Sequence, residues 1–178
     1  MREFFNVEEI KKYADQLYKI DAMYCHGAAI NCQGKAYVFF APSKTGKSTH
    51  LKFWMKLFAD EISMINDDKP IIKLEDGKVI VESSPYCGKE GWKVDGARAE
   101  LGAICILKRG EENSIKKVLA KDHFEEILNQ IYRPEDNAAM LKTFDLIDKV
   151  FKNCDIYEMY CLPNEEAAIM AHDTMVKK

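Results

Sequence analysis

Apolar residues recur along this chain in two rhythms, one of period near 3.6 and one of period 2, and they alternate. Val7, Ile10, Ala14 and Leu17 follow the helical period. Asn6 and Glu9 are spaced as a capping box and Phe5 with Ile10 as a hydrophobic staple, so the pattern predicts a helix from about Asn6. Residues 22–32 and 35–40 read as two strands joined by Gln33-Gly34, a hairpin signal. A helix follows over 47–58 with Leu51, Trp54 and Phe58 on one face. A short buried-type strand, 62–65, then delivers Asn66-Asp67-Asp68.

Residues 70–74 and 79–82 flank Glu75-Asp76-Gly77-Lys78, a second hairpin. The stretch 84–97 carries Pro85, Gly88, Gly91 and Gly96 among scattered charges and reads as a long loop, the kind that often serves function. A hydrophobic strand over 101–107 comes next. Asp122 and Glu125 open a helix bearing Phe124, Ile127, Leu128 and Ile131 and stopped by Pro134. A further helix over 137–152 carries the stripe Met140, Leu141, Phe144, Ile147 and Phe151, read as core packing. A strand over 156–161 and a helix opened by Pro163-Asn164 end the pattern. Hairpins interrupt the strand–helix alternation, so the expected fold is α/β with a mixed sheet.

Composition narrows the classes. With 178 residues, one domain over 1–178 is expected, large enough for a full core. The net charge is −3 with both signs interspersed, so no basic patch points to nucleic acid. No apolar stretch approaches membrane-spanning length, and the N-terminus turns acidic instead of entering a signal-peptide core. Six cysteines without a C-x-x-C pair argue against zinc; their even number allows a disulfide set, but a cytosolic nucleotide-binding protein keeps its thiols reduced, and a cytoplasmic location is expected.

The chemistry concentrates where the strand at 35–40 ends. Ala41-Pro42-Ser43-Lys44-Thr45-Gly46-Lys47-Ser48-Thr49 has the strand–loop–helix grammar of a phosphate-binding loop, A-x-x-x-x-G-K-S. Ser43, Lys44, Thr45, Gly46, Lys47, Ser48 and Thr49 are the expected nucleotide contacts. Loop and helix-terminal N–H groups supply partial positive charge, Lys47 a full one, and the Ser48 hydroxyl a ligand for Mg²⁺. Asp67-Asp68 follows an apolar strand about twenty residues after Lys47, as a metal-side carboxylate pair would. Adjacent carboxylates can divide labour, one holding metal and one accepting a proton. No N-K-x-D guanine motif occurs, which disfavours a conventional GTPase.

Taken in order, Cys25-His26-Gly27, Phe40–Thr49 and Ile65-Asn66-Asp67-Asp68 resemble the phosphoenolpyruvate carboxykinase superfamily, including the catalytic domain of HPr kinase/phosphorylase. Thr45-Gly46-Lys47-Ser48-Thr49-His50, Ile65-Asn66-Asp67-Asp68-Lys69-Pro70 and Gly88-Lys89-Glu90-Gly91 look more closely like small HPr-kinase-like proteins. The resemblance implies a P-loop domain like that nucleotide-binding core. It implies Lys47 and Ser48 at phosphate and metal, Asp67 as general base for a serine hydroxyl, and Asp68 as its metal-associated neighbour. It also places His26 near the metal or the reacting phosphate. Ala41 and Lys44 stand where glycines are common. The chain is short for a carboxykinase, so kinase chemistry transfers and decarboxylation does not.

The expected activity is ATP- and Mg²⁺-dependent phosphorylation of a hydroxyl, with Mn²⁺ as an alternative cation. The expected acceptor is a serine of a protein or peptide. A small-molecule kinase and a nucleotide-binding regulatory module with weak ATPase activity are the alternatives. Lys89 and Arg98, in and beside the long loop, are candidate substrate contacts, and that loop is a candidate lid with Trp92 against the acceptor or the core. Lys108-Arg109-Gly110 ends a strand and could approach the nucleotide, though that is not the favoured reading, and His123 and His172 read as ordinary surface-helix residues.

Overall fold

The computed structural model describes residues 7–152 and 154–176. The capping box at Asn6 and the staple at Phe5 lie outside the described residues, as does the Val7 side chain. Five helices and nine strands are described: α1 Val7–Leu17, β1 Ala22–Tyr24, β2 Gly27–Cys32, β3 Lys35–Phe40, α2 Lys47–Leu57, β4 Ile62–Asn66, β5 Ile71–Glu75, β6 Lys78–Glu82, β7 Arg98–Arg109, β8 Ser114–Val118, α3 Phe124–Leu128, α4 Asn137–Lys152, β9 Asp155–Cys161 and α5 Glu165–Met175. Short 3₁₀ turns follow α1 and precede α3.

All nine strands belong to one mixed sheet of order β1-β5-β6-β7-β3-β2-β4, with β9 also on β7 and β8 on β9. The long β7 pairs antiparallel with β6 along its start and parallel with β9 along its end, so the sheet divides there. Both expected hairpins form on residues able to take positive φ: Gln33 (52°) and Gly34 (83°), then Asp76 (49°) and Gly77 (76°). Asn164 caps α5, accepting from Ala167 N at 3.1 Å.

Period-2 alternation in β3 splits the core across two faces. Ala36, Val38 and Phe40 pack with Ile127 of α3 and Leu146, Ile147, Val150 and Phe151 of α4. Tyr37 and Phe39 point the other way, toward Leu51 and Trp54 of α2 and Ala167, Ala168 and Ala171 of α5. Ala14 and Leu17 of α1 close over β1. Among the described helices, none is long and apolar enough to cross a membrane.

Several expectations change. The single strand expected at 22–32 is two, because Cys25 and His26 leave the ladder, their N–H groups bonding Pro70 O and Gln130 O instead. β1 then pairs with β5, while β2 pairs with β3 and β4. β8 was not expected; it is a mostly exposed strand whose polar sequence carries little periodic signal. On α4 the buried face is Ala139, Thr143, Leu146, Ile147, Val150 and Phe151, so Leu141 and Phe144 of the expected stripe point outward. His172 is not a surface residue: it is 1% exposed, its ring stacked on Phe58 at 4.0 Å. His123 lies partly buried against Glu126 at 3.1 Å. All six cysteines are free thiols.

Candidate active site

Strand direction assembles the site. β3, β7 and β9 run parallel, so their carboxyl ends, followed by 41–46, Gly110 and Leu162, meet at one sheet edge. β2 is antiparallel to β3, which brings its start, beside His26, to that edge. β4 is antiparallel to β2, and its end delivers Asp67-Asp68 to the same place. A cleft of about 850 Å³ opens there, lined by His26, residues 42–50, Asp67, Asp68, Gly88, Lys89, Arg109, Gly110 and 161–163.

Ser43, Lys44, Thr45, Gly46, Lys47, Ser48 and Thr49 all line this cleft. Gly46 takes φ 122° at the N-cap of α2, a conformation glycine tolerates, and His50 N bonds its carbonyl at 2.9 Å. Lys44 sits at φ 68°, which explains why glycine suits this position, and strain there is roughly 1–3 kcal/mol. Arg109 supports the strained turn, donating to the carbonyls of Lys44 and Thr45. Arg109 also lines the cleft.

Lys47 is 8% exposed and donates to Ala41 O at 2.7 Å, with His26 Nε2 at 3.3 Å. Burial lowers its pKa to about 8, outweighing the opposing attraction of Asp68. His26 Nε2 stands 3.2 Å from Asp68 Oδ1. The Gln130 amide, with its NH₂ turned inward, donates to His26 Nδ1 at 3.0 Å and to Ala41 O at 3.1 Å. That arrangement places the ring proton on Nε2, where it donates to Asp68.

The two carboxylates differ. Burial raises the Asp67 pKa; N–H groups of Gly88 and Trp92 oppose it and the Asp68 charge reinforces it. Burial also pushes the Asp68 carboxyl up, but hydrogen bonds from His26 and Lys69 and the charge of Lys69 prevail and hold it at about 2. Asn66, fully buried, shapes their turn: its Oδ1 accepts from Asp68 N (3.0 Å) and Lys69 N (2.7 Å), and its Nδ2 donates to Tyr86 O (2.8 Å).

The long loop, 83–97, closes against this pair. Gly88 N donates to Asp67 Oδ1 at 2.7 Å. A Cβ on Gly88 would meet Asp68 Cβ at 3.0 Å and Asp67 Oδ2 at 3.1 Å, a tight fit in which both carboxylates would have to give by a few tenths of an ångström. Trp92 packs on the α2 side of the core with Lys52 5.5 Å from its ring, and Val94 N bonds Ile65 O, so much of the loop is tied down. Lys89 lines the cleft with an exposed side chain. Arg98 does not: it begins β7, the strand whose other end meets the cleft, and pairs with Glu75 at 2.8 Å.

His50 lies just inside α2 but faces the core, accepting from Trp54 Nε1 at 2.9 Å, and burial drops its pKa to about 4. Sequence reasoning had assigned no part to Gln130, Asn66 or Lys69. The Asn-Asp-Asp-Lys run held a signal for the last two, since Asn is a turn former; Gln130 comes from a distant segment and had none.

No protein-family model matches the chain, and no curated protein matches it. Among solved structures, the chain is similar to the Hpr(Ser) kinase/phosphatase from Coxiella burnetii, with 8% identity, 86% of this chain and 97% of that chain covered, and a TM-score of 0.48.

Proposed function

We propose that residues 1–178 act as one P-loop kinase domain that transfers the γ-phosphoryl group of ATP to a hydroxyl, with Asp67 as general base. The observation that carries this reading is the convergence of Lys47, His26, Asp68 and Asp67 with the 42–49 loop in one cleft. The N–H groups of the loop and the start of α2 cradle the phosphates, and Lys47 neutralises the transferring charge. Asp68 and the Ser48 hydroxyl offer oxygen donors on one cleft, a set suited to Mg²⁺ and equally to Mn²⁺. A cation held there would neutralise phosphate charge. The acceptor oxygen forms its bond to phosphorus as the bond to ADP breaks, and the hydroxyl proton passes to Asp67. Lys89, on the exposed rim, contacts the acceptor. A serine of a protein or peptide is the acceptor class that the Ile65–Pro70 resemblance favours.

Incubating the protein with γ-labelled ATP, Mg²⁺ and a lysate of its source tests this. A labelled acceptor should appear with the wild type and vanish with Asp67→Asn. Tight ATP binding with no labelled acceptor would instead make the chain a nucleotide-binding module.

Gly88→Ala isolates the base geometry. Its methyl group would push on Asp67 and Asp68, the atoms nearest to it. Displacing a reacting group by part of an ångström costs about 10-fold to 100-fold. Transfer should fall by that factor while ATP affinity, read by calorimetry, stays near wild type. Wild-type turnover would show that Asp67 needs no support from the loop.

A further inference from the structure

At the sheet edge opposite the cleft, a second cluster of chemically competent side chains meets. Cys32 ends β2, Glu61 immediately precedes β4, and His172 belongs to α5. Cleft and cluster are thus separated by the length of β2, roughly 17 Å for six residues. One donor atom from each of Cys32, Glu61 and His172 lies within 4.8 Å of the other two. We propose that these three residues bind a transition-metal ion of the zinc class, with water completing a tetrahedral shell.

The independent sign is His172. Its ring is 1% exposed, yet Nε2 makes no hydrogen bond within the protein. Glu61 Oε2, at 3.5 Å, stands beside that nitrogen without bonding it. The other ring nitrogen, Nδ1, pairs with Asp173 Oδ1 at 3.3 Å, which puts the ring proton on Nδ1 and leaves the Nε2 lone pair facing the cluster. A carboxylate behind the far nitrogen is the usual support of a metal-binding histidine. Phe58, stacked at 4.0 Å and 11°, holds the ring plane. Gln33 Nε2 donates to Glu61 Oε2 at 2.9 Å and steadies the carboxylate.

The donor set selects the ion. One sulfur, one nitrogen and one oxygen suit Zn²⁺, whereas Mg²⁺ and Ca²⁺ prefer oxygen throughout. Glu61 is exposed, giving the ion a route in from solvent; Cys32 and His172 are buried behind it. Burial, helped by the Glu61 charge, raises the Cys32 thiol pKa, so the thiol enters as S–H. Metal binding forms the sulfur–metal bond and releases that proton to water. His123, Glu126 and Glu158 also cluster, but Lys108 reaches Glu158 at 2.7 Å and Lys116 at 2.9 Å, so that cluster already holds its cations. The three proposed ligands lie far apart in sequence, so no cysteine spacing announces them.

Chelator-stripped full-length protein titrated with Zn²⁺, and separately with Co²⁺, tests the site. The expected result is one equivalent bound, a higher melting temperature, and a thiolate-to-cobalt charge-transfer band. Asp173→Asn should weaken binding about 10-fold, and Glu61→Gln or His172→Gln by on the order of 10²-fold, since loss of a supporting partner alone costs 10- to 100-fold. Cys32→Ser should erase the band and Cys87→Ser, near the cleft, should keep it. A band of wild-type strength in Cys32→Ser, or no stoichiometric binding by the wild type, would overturn the proposal. Should Cys32→Ser fail to fold, the exposed Glu61→Gln decides: undiminished affinity there overturns it equally.

Discussion

Asp67→Asn is expected to retain ATP binding within a few-fold and to lose phosphoryl transfer by about 10²- to 10⁴-fold, the range that a general base supplies. The expectation follows from how the two neighbouring carboxylates are held apart. Asp68 is hydrogen-bonded by His26 and Lys69 and kept at about 2, so it stays charged and is a poor proton acceptor. Asp67 is 5% exposed, and burial together with its charged neighbour lifts its affinity for a proton. Environments that separate two carboxyl groups in this way assign one to charge and the other to proton transfer. Asparagine keeps the size of the side chain and an oxygen for the Gly88 N–H at 2.7 Å, so the loop should stay in place. The complementary change, Asp68→Asn, should raise the Mg²⁺ concentration needed for half-maximal rate more than it lowers the rate at saturation. Because a general base works deprotonated and burial raises the Asp67 pKa, the acid limb of the wild-type rate should lie above that of an ordinary aspartate. Steady-state kinetics with an identified acceptor, alongside calorimetric ATP binding, read all of this. Wild-type turnover in Asp67→Asn would remove it from the mechanism.

Local signals carried the parts of the fold that local chemistry decides. Gln33-Gly34 and Asp76-Gly77 made their hairpins because positive φ was needed there. Asn164 opened α5 because its oxygen accepts the Ala167 N–H. Strand order was another matter. The junction of β3 with β7 in parallel joins residues about sixty-five positions apart, such as Phe40 and Ile106, and no periodicity records it. The break at Cys25-His26 depended on carbonyls of Pro70 and Gln130 that drew their N–H groups out of the ladder. The same limit applies to the cleft. Residues 42–49 could be read as a phosphate-binding pattern because that pattern lies within one short segment, and the segment lines the cleft. His26 was expected near the phosphate loop from its hairpin and the family resemblance together; its 3.2 Å approach to Asp68 comes from the pair of antiparallel registers on either side of β2. Lys89 and Arg98 looked equivalent in sequence; the length of β7 separates them, because Arg98 starts the strand and Arg109 ends it. Histidines misled in the opposite sense, since His172, followed by Asp173 and Thr174, looked like a surface residue but packs on Phe58 in space.

Lys47→Ala is expected to weaken ATP binding by about 10²-fold or more, in line with the 3–5 kcal/mol lost when one partner of a buried ion pair is removed. In the free protein the ammonium is anchored to Ala41 O at 2.7 Å, already aimed into the cleft, and burial leaves it short of counter-charge. Arriving phosphates should supply that charge. The depressed pKa gives this a pH signature with a definite sign. Below about 8 the free lysine is protonated and binding needs no further proton. Above it the neutral amine must take one up, so the wild-type dissociation constant should rise by about tenfold per pH unit, and the dependence should be absent in Lys47→Ala. Lys47→Met separates this role from a structural one. The folded pKa lies below the unfolded value, so the charged lysine weakens the unliganded fold below about 8, a penalty relieved as pH rises from about 8 through the ordinary lysine range. Methionine keeps most of the stem and removes the charge. At pH 7 the unliganded Lys47→Met protein should therefore melt no lower than wild type while having lost its nucleotide affinity. A variant that melts much lower and still binds ATP would show that Lys47 holds the loop and not the phosphates.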